Sequence, residues 1–145
     1  MIKISFVGDI MFEKQYVAAS KKNGKYDFSN LFHYVRALLK RSDYVVANLE
    51  TVFAGENCKY TRGIYSFNTP DEALNAIADS GINLLCTANN HCIDRGVTGL
   101  IRTMNMLKSK QLEYTGTYLN PKEKDRSHIV EIKGIKYAFM SYTYG

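Results

Sequence analysis

Several features are missing from this 145-residue chain, and each absence removes a class of protein. Met1 leads into "IKISFVGDI", which has neither a long apolar h-region nor a small-residue cleavage site, so no signal peptide is read and a cytoplasmic location is expected. No run approaches the roughly 18 apolar residues of a membrane span, so none is expected. The three cysteines, Cys58, Cys86 and Cys92, are odd in number and form no CxxC, which argues against a disulfide framework. Cys86 sits in an apolar run and reads as a small core residue; Cys92, beside His91, reads as a bystander. No GxGxxG or Walker loop follows any strand, and the turn "VGDIMF" has a single glycine, which weighs against a nucleotide-binding α/β domain. There is no internal repeat and no low-complexity segment. Concentrated charge is also lacking: the net +5, from 19 Lys+Arg against 14 Asp+Glu, is spread over Lys21-Lys22, Lys40-Arg41, Lys108-Lys110 and Lys122-Lys124. A nucleic-acid binder would gather it on one element. A solvated surface remains, with a mild attraction for anionic substrates.

What is present suits one globular domain with a real core, at 46% hydrophobic and 23% charged residues. "IKISFVGD" predicts a strand ending in a turn at Gly8-Asp9. "DFSNLFHYVRALLKRSD" has helical spacing at Leu31, Phe32, Val35, Leu38 and Leu39, with Asp27 or Ser29 as cap. "YVVANLE" predicts a second buried strand, and 52–66 a loop. "TPDEALNAIADSG" predicts a helix with Thr69 as N-cap, Glu72 completing a capping box and Gly81 as the stop. "INLLCTA" predicts a third strand, 97–110 an amphipathic helix, "LEYTGTY" a short strand and turn, and "SHIVEIKGIKYAFMSYT" a hairpin turning near Lys133-Gly134. Strands alternating with helices predict an α/β fold with a mixed, largely parallel sheet flanked by helices. The last strand runs to "YAFMSYTYG" without a closing helix, which suggests the N-terminal part of a longer domain.

Chemistry gathers at the carboxyl ends of three strands, in Gly8-Asp9, in Asn48-Leu49-Glu50 and in Asn89-Asn90-His91 with Asp94 behind. The crevice beyond strand carboxyl ends is where open α/β sheets bind ligands. If the strands are neighbours, Asp9, Glu50, Asn90 and His91 converge. Carboxylate and amide oxygens suit Mg²⁺ or Mn²⁺, and with imidazole also Fe or Zn. Such a metal site can clamp a phosphate and activate a water, while a nearby His protonates the leaving oxygen. Taken singly, Gly-Asp reads as a turn and "NLE" as a polar strand end. "ANNH" after a buried strand has little structural reason to exist. Asp94, before Arg95-Gly96, reads as the cap of the next helix.

"VGDIMF", "ANLET", "TANNHCIDRGVTGLIRTMNML" and "YTGT", in this order, resemble the bacterial CapA family of capsule and poly-γ-glutamate synthesis proteins, itself similar to the calcineurin-like metallophosphoesterases. The resemblance covers Phe6 to about Gly145, and the ANNH-x-x-D-x-G motif is its most specific part. It implies the N-terminal portion of a metallophosphoesterase-like α/β sandwich. It implies Asp9, Glu50 and Asn90 as ligands of a divalent metal (Mn, Mg, Fe or Zn), with Glu50 placed to bridge two ions. Asn48, Asn89 and Asp94 would line the site, and His91 would act as general acid or orient phosphate. The implied function is hydrolysis of a phosphoester or related bond in capsule or poly-γ-glutamate synthesis, on an anionic substrate or polymer intermediate and alongside other synthesis proteins. The second-half histidines of such sites, typically followed by Gly, have no match here; His33 reads as a helix-surface residue and His128 as an edge-strand residue. That departure supports an alternative, a non-catalytic component of a polymer-synthesis complex.

Overall fold

The computed structural model describes residues 1–124 and 128–144; Ser127, at the head of the expected hairpin, and Gly145 lie outside the described residues. Four parallel strands form the central sheet: β1 (Ile4–Ile10), β4 (Tyr44–Leu49), β5 (Leu84–Cys86) and β6 (Glu113–Thr115), in spatial order β1-β4-β5-β6. The strands expected to carry the site are therefore adjacent. Parallel neighbours need crossovers, and helices supply them. These include α1 (Lys14–Ala19), α2 (Arg36–Leu39), α3 (Ala73–Asp79) and α4 (Gly96–Ser109). α5 (Pro121–Lys124) precedes the antiparallel hairpin of β7 (His128–Ile132) and β8 (Ile135–Phe139). The fold is α/β with a parallel sheet flanked by helices, as the alternation of strands and helices implies.

The two faces of β4 are divided by the two-residue period of a strand. Val45, Ala47 and Leu49 join Leu85, Leu74, Ile77 and Leu107 in the larger core on the helical side. Tyr44, Val46 and Leu84 face the other way and pack with Ile132, Tyr137 and Phe139 of the hairpin. The hairpin is thus a second layer over the sheet, with Phe139 stacked on Tyr44 at 5.3 Å. Its two-residue turn, Lys133-Gly134, takes positive φ at both positions, as a tight hairpin requires.

Three local expectations are corrected. The segment 27–39 is not one long helix: turns run from Ser29 to Val35, and only Arg36–Leu39 is helical. Asp27 accepts the Ser29 N–H at 2.9 Å and makes a local turn instead of capping a helix. His33 accordingly lies in the turns, its ring against Tyr34. The Thr69 capping box does not form; α3 begins at Ala73, while the buried Thr69 hydroxyl bonds to Thr51 at 2.8 Å. Gly81, at φ 97°, does end that helix. A further element was not anticipated. β2 (Lys21–Lys22) and β3 (Lys25–Tyr26) form a small hairpin around Asn23-Gly24, both at positive φ. Asn-Gly between short strands is the sequence signal that announces it.

Candidate functional site

The site begins with an irregularity in β1. Phe6 pairs with Val46, but Asp9 pairs with Asn48, so Val7 and Gly8 together oppose Ala47 alone. One extra residue reverses the side on which every later side chain falls. Without it, Asp9 would face the helical core. With it, Asp9 falls on the same face as Asn48, and Ile10 turns into the core. The bulge is therefore what delivers the first carboxylate to the crevice.

β4 ends one step further on, at Asn48-Leu49-Glu50. Leu49 is buried at 2% exposure and fixes its polar neighbours to the opposite side. Asn48 Nδ2 donates to Asp9 Oδ1 and to Glu50 Oε2, both at 2.8 Å. Its Oδ1 accepts from Asn89 Nδ2 at 3.0 Å, and Asn89 Nδ2 also reaches the Leu49 carbonyl at 2.8 Å. One amide thus lies between two carboxylates, with its orientation set by a second amide. Burial raises the Glu50 carboxyl above its ordinary pKa, and the Asp9 carboxylate pushes the same way.

The loop after β5 supplies the imidazole. Asn89 Oδ1 accepts the His91 N–H at 3.0 Å and curls the chain back towards the crevice. His91 Nδ1 lies 2.9 Å from Asp94 Oδ2, and its Nε2 is 3.9 Å from Glu50 Oε1. Asp94 Oδ2 also accepts the Phe67 N–H at 2.6 Å, and the Phe67 ring meets the imidazole edge-on at 4.6 Å. Asp94 was expected to cap α4; that helix has no side-chain cap, and the carboxylate is spent on His91 and Phe67. The contact with Asp94 favours a proton on Nδ1 and turns Nε2 towards the crevice.

The structure brings together Asp9, Asn48, Glu50, Asn89, His91 and Asp94. Asn90 is exposed, and no hydrogen bond among the described residues engages its side chain, which leaves its amide uncommitted beside His91. Cys92 lies away from the crevice, lining a small cavity with Thr87, Thr103 and Thr117. Cys86 is half-buried, and burial raises its thiol pKa. His128 does more than occupy an edge: its Nε2 is 3.3 Å from the Tyr44 hydroxyl. Among the described residues no group of three or more His, Cys, Asp or Glu side chains is arranged to hold a metal on its own. Any ion here would rely on the asparagine amides as well.

Two supports were not legible in advance. Asn68 is fully buried, takes the Ala54 N–H, and donates to the carbonyls of Gly55 and Lys59. It anchors the long loop that seats Phe67. Gly116, at φ 110°, lies where a Cβ would fall 2.7 Å from the Ala88 Cβ, so only glycine lets the end of β6 approach the start of the Asn89 loop. Thr87 completes that seam through Thr117 at 2.7 Å.

Parallel strands with a bulged edge, whose carboxyl ends present two carboxylates, three amides and a carboxylate-oriented imidazole, define an α/β protein with a polar strand-end crevice. The chain belongs to the family described as bacterial capsule synthesis protein PGA_cap, whose model matches residues 3–145. It is similar to the PGA biosynthesis protein CapA of Bacillus subtilis (strain 168), 28% identical over 145 residues, 99% of this chain and 37% of that protein. It is also similar to the capsule biosynthesis protein CapA of Bacillus anthracis, 27% identical over 145 residues, 98% of this chain and 34% of that protein. The chain spans about a third of the length of these curated relatives.

Proposed function

We propose that the crevice is a divalent-cation site of metallophosphoesterase type, and that it serves capsule or poly-γ-glutamate synthesis by hydrolysing a phosphoester or related bond. The observation that carries this reading is the clamp of Asp9 and Glu50 on one amide nitrogen, 2.8 Å from each. A partly positive N–H₂ held between two anions marks a place where a cation is electrostatically favoured. The donor chemistry fits. Asp9, Glu50 and Asn90 would hold the ion, with Asn48 and Asn89 lining it; such oxygens suit Mg²⁺ or Mn²⁺, and imidazole alongside extends the range to Fe or Zn. When bound, the ion supplies Lewis acidity towards an anionic oxygen and lowers the pKa of coordinated water.

The chain's own residues account for the proton. Asp94 holds His91 by Nδ1 and the Phe67 ring fixes its plane, so Nε2 faces the crevice, where the imidazolium form would pass its Nε2 proton to a leaving oxygen and keep the Nδ1 proton hydrogen-bonded to Asp94. Glu50, 17% exposed at the side chain, keeps the imidazole on the crevice side through the 3.9 Å approach. The experiment is calorimetric titration of the chain with Mn²⁺. Saturable binding, weakened about tenfold or more in Asp9→Asn, supports the reading. Equal affinity in the two proteins removes it.

A second reading, a non-catalytic member of a synthesis complex, is favoured by the outer side of the hairpin. Ile129 of β7 is exposed there, and Met140 and Tyr142 are exposed just after β8. Sedimentation velocity separates the readings: a monomer up to high micromolar concentration weighs against an obligate assembly role.

A further inference from the structure

Next to the crevice is a cationic cavity that the proposed hydrolysis does not use. It has a volume of about 350 Å³ and is lined by Cys58, Lys59, Tyr60, Arg62, Ser66 and Arg95, among others, with no carboxylate in its lining. Arg95 forms its rigid wall. The guanidinium donates Nε to the Cys58 carbonyl at 3.0 Å, Nη2 to the Lys59 carbonyl at 3.2 Å, and Nη1 to the Asp94 carbonyl at 2.9 Å and the Ser66 hydroxyl. These partners are all neutral. Among the described residues, Arg95, Arg62 and Lys59 take part in no salt bridge. No ion pair among the described residues neutralises the three cations, which favours capture of an anion against the opposing field of Asp71, Glu72 and Glu56 felt at the lining Tyr60.

Backbone geometry at the cavity agrees. Lys59 takes φ 57°, a left-handed conformation that costs a non-glycine residue free energy. Its inward carbonyl is used twice, by Asn68 Nδ2 at 3.1 Å and by Arg95. The buried Asn68 thus holds the turn that carries Lys59 and Arg62. The cavity is also tied to the reaction centre: Arg95 follows Asp94, the residue that orients His91, and Ser66 precedes Phe67, whose ring lies on that imidazole. Ile64 and Tyr65 are exposed on the same loop.

We propose that this cavity is a second anion subsite, in which Arg62 and Lys59, on the wall built by Arg95, hold a carboxylate or phosphate of the substrate one group away from the bond presented to His91. The proposal deepens the function proposed above and rests on the crevice being the reaction centre. It makes the substrate a chain, or an ester carrying a second anionic group beside the one that reacts, in contrast to an isolated monoester.

The test is calorimetric titration of the full chain in EDTA and low salt, once with inorganic phosphate and once with a γ-linked glutamate pentamer. Binding of at least one probe, weakened about tenfold or more in the double variant Lys59→Gln/Arg62→Gln, supports the subsite. Phosphate alone assigns it to a phosphoryl group; the pentamer alone assigns it to polymer carboxylates. Absence of binding by both probes, or unchanged affinity in the double variant, overturns it. The Mn²⁺ titration keeps the two proposals apart. The double variant is expected to retain Mn²⁺ affinity, whereas Asp9→Asn is expected to bind Mn²⁺ about tenfold more weakly and retain the anion binding measured in EDTA.

Discussion

β1 and β4 each deliver a carboxylate to the same crevice, yet they are opposite kinds of strand. β4 is central, with Tyr44, Val45, Val46, Ala47 and Leu49 all buried between the helices and the hairpin. β1 is an edge strand with Phe6 70% exposed and a bulge at Val7-Gly8. The comparison teaches that the two halves of the Asp9–Glu50 clamp differ in stiffness. Glu50 is positioned by a packed core, whereas Asp9 is positioned by one irregular turn of an edge and by the Asn48 amide. Bulges commonly re-aim a side chain, and this one re-aims Asp9 on a stretch of β1 that is largely exposed.

The largest expected difference between the strands is in stability. Leu49→Ala removes a side chain from the full core and is expected to cost about 3 kcal/mol, within the range for buried Leu→Ala changes. Phe6→Ala is expected to cost under about 1 kcal/mol, because the ring is 70% exposed and its centroid stands 6.3 Å from that of Phe139. Urea unfolding followed by circular dichroism measures both; equal losses would break the contrast. The same contrast should appear in cation affinity. Glu50→Gln is expected to weaken Mn²⁺ binding about a hundredfold and Asp9→Asn about tenfold, since a preorganised ligand contributes more than one that must be ordered on binding. A reversed order in calorimetry would show that the bulged edge is the stiffer support.

Glycines make a third, smaller contrast. At Gly116 an added methyl meets Ala88 at 2.7 Å under a backbone at φ 110°, so Gly116→Ala is expected to cost roughly 2 kcal/mol from overpacking and strain. At Gly8 nothing lies within 4 Å, so Gly8→Ala is expected to be neutral, or stabilising by up to about 1 kcal/mol through the unfolded chain. Thermal melts of the two variants read the difference. A destabilised Gly8→Ala protein would mean that the bulge needs glycine for its geometry.

Much of this was visible in the sequence, for reasons specific to each element. β4 and β5 announced themselves as apolar runs ending in polar residues, and strand ends in an α/β fold converge once the strands are neighbours. Asp9, Glu50 and His91 could be brought together on that ground alone. The bulge could not be read, because "ISFVGDI" alternates no better with an extra residue than without one. The division of labour between Asn89 and Asn90 was equally hidden: it depends on a turn of the chain that only the Asn48 amide and the His91 N–H select. Thr69 and Asp94 looked like helix caps because local rules favour them there. Both instead bond to residues distant in sequence or to the imidazole, and tertiary partners outweighed the local preference. Segment 27–39 has helical spacing, but three-residue turns satisfy that spacing as well.

The smallest expected effect lies at the other end of the same two strands. Asp43 precedes β4; its Oδ2 accepts the Lys3 N–H at 2.8 Å, just before β1, and its Oδ1 takes the Lys133 ammonium at 2.7 Å from the hairpin turn. The Lys133 hydrogen bond first, and then the Lys3 N–H, hold the Asp43 carboxyl below its ordinary pKa. A carboxyl whose pKa is lower in the folded protein binds a proton more readily when unfolded. Its contribution to stability is therefore fully present above the unfolded value, near 3.9, and is lost as pH falls through the lowered folded value. Asp43→Asn is expected to flatten that part of the acid limb of a melting-temperature profile while leaving the neutral-pH melting temperature nearly unchanged, because the group is close to solvent and screened. Lys133→Met should reproduce part of the flattening, as it removes the larger of the two causes. If Asp43→Asn instead lowered the neutral-pH stability as much as Leu49→Ala, the amino ends of β1 and β4 would be held by this one carboxylate. The stiffness of β4 would then come from its anchor and not from its core.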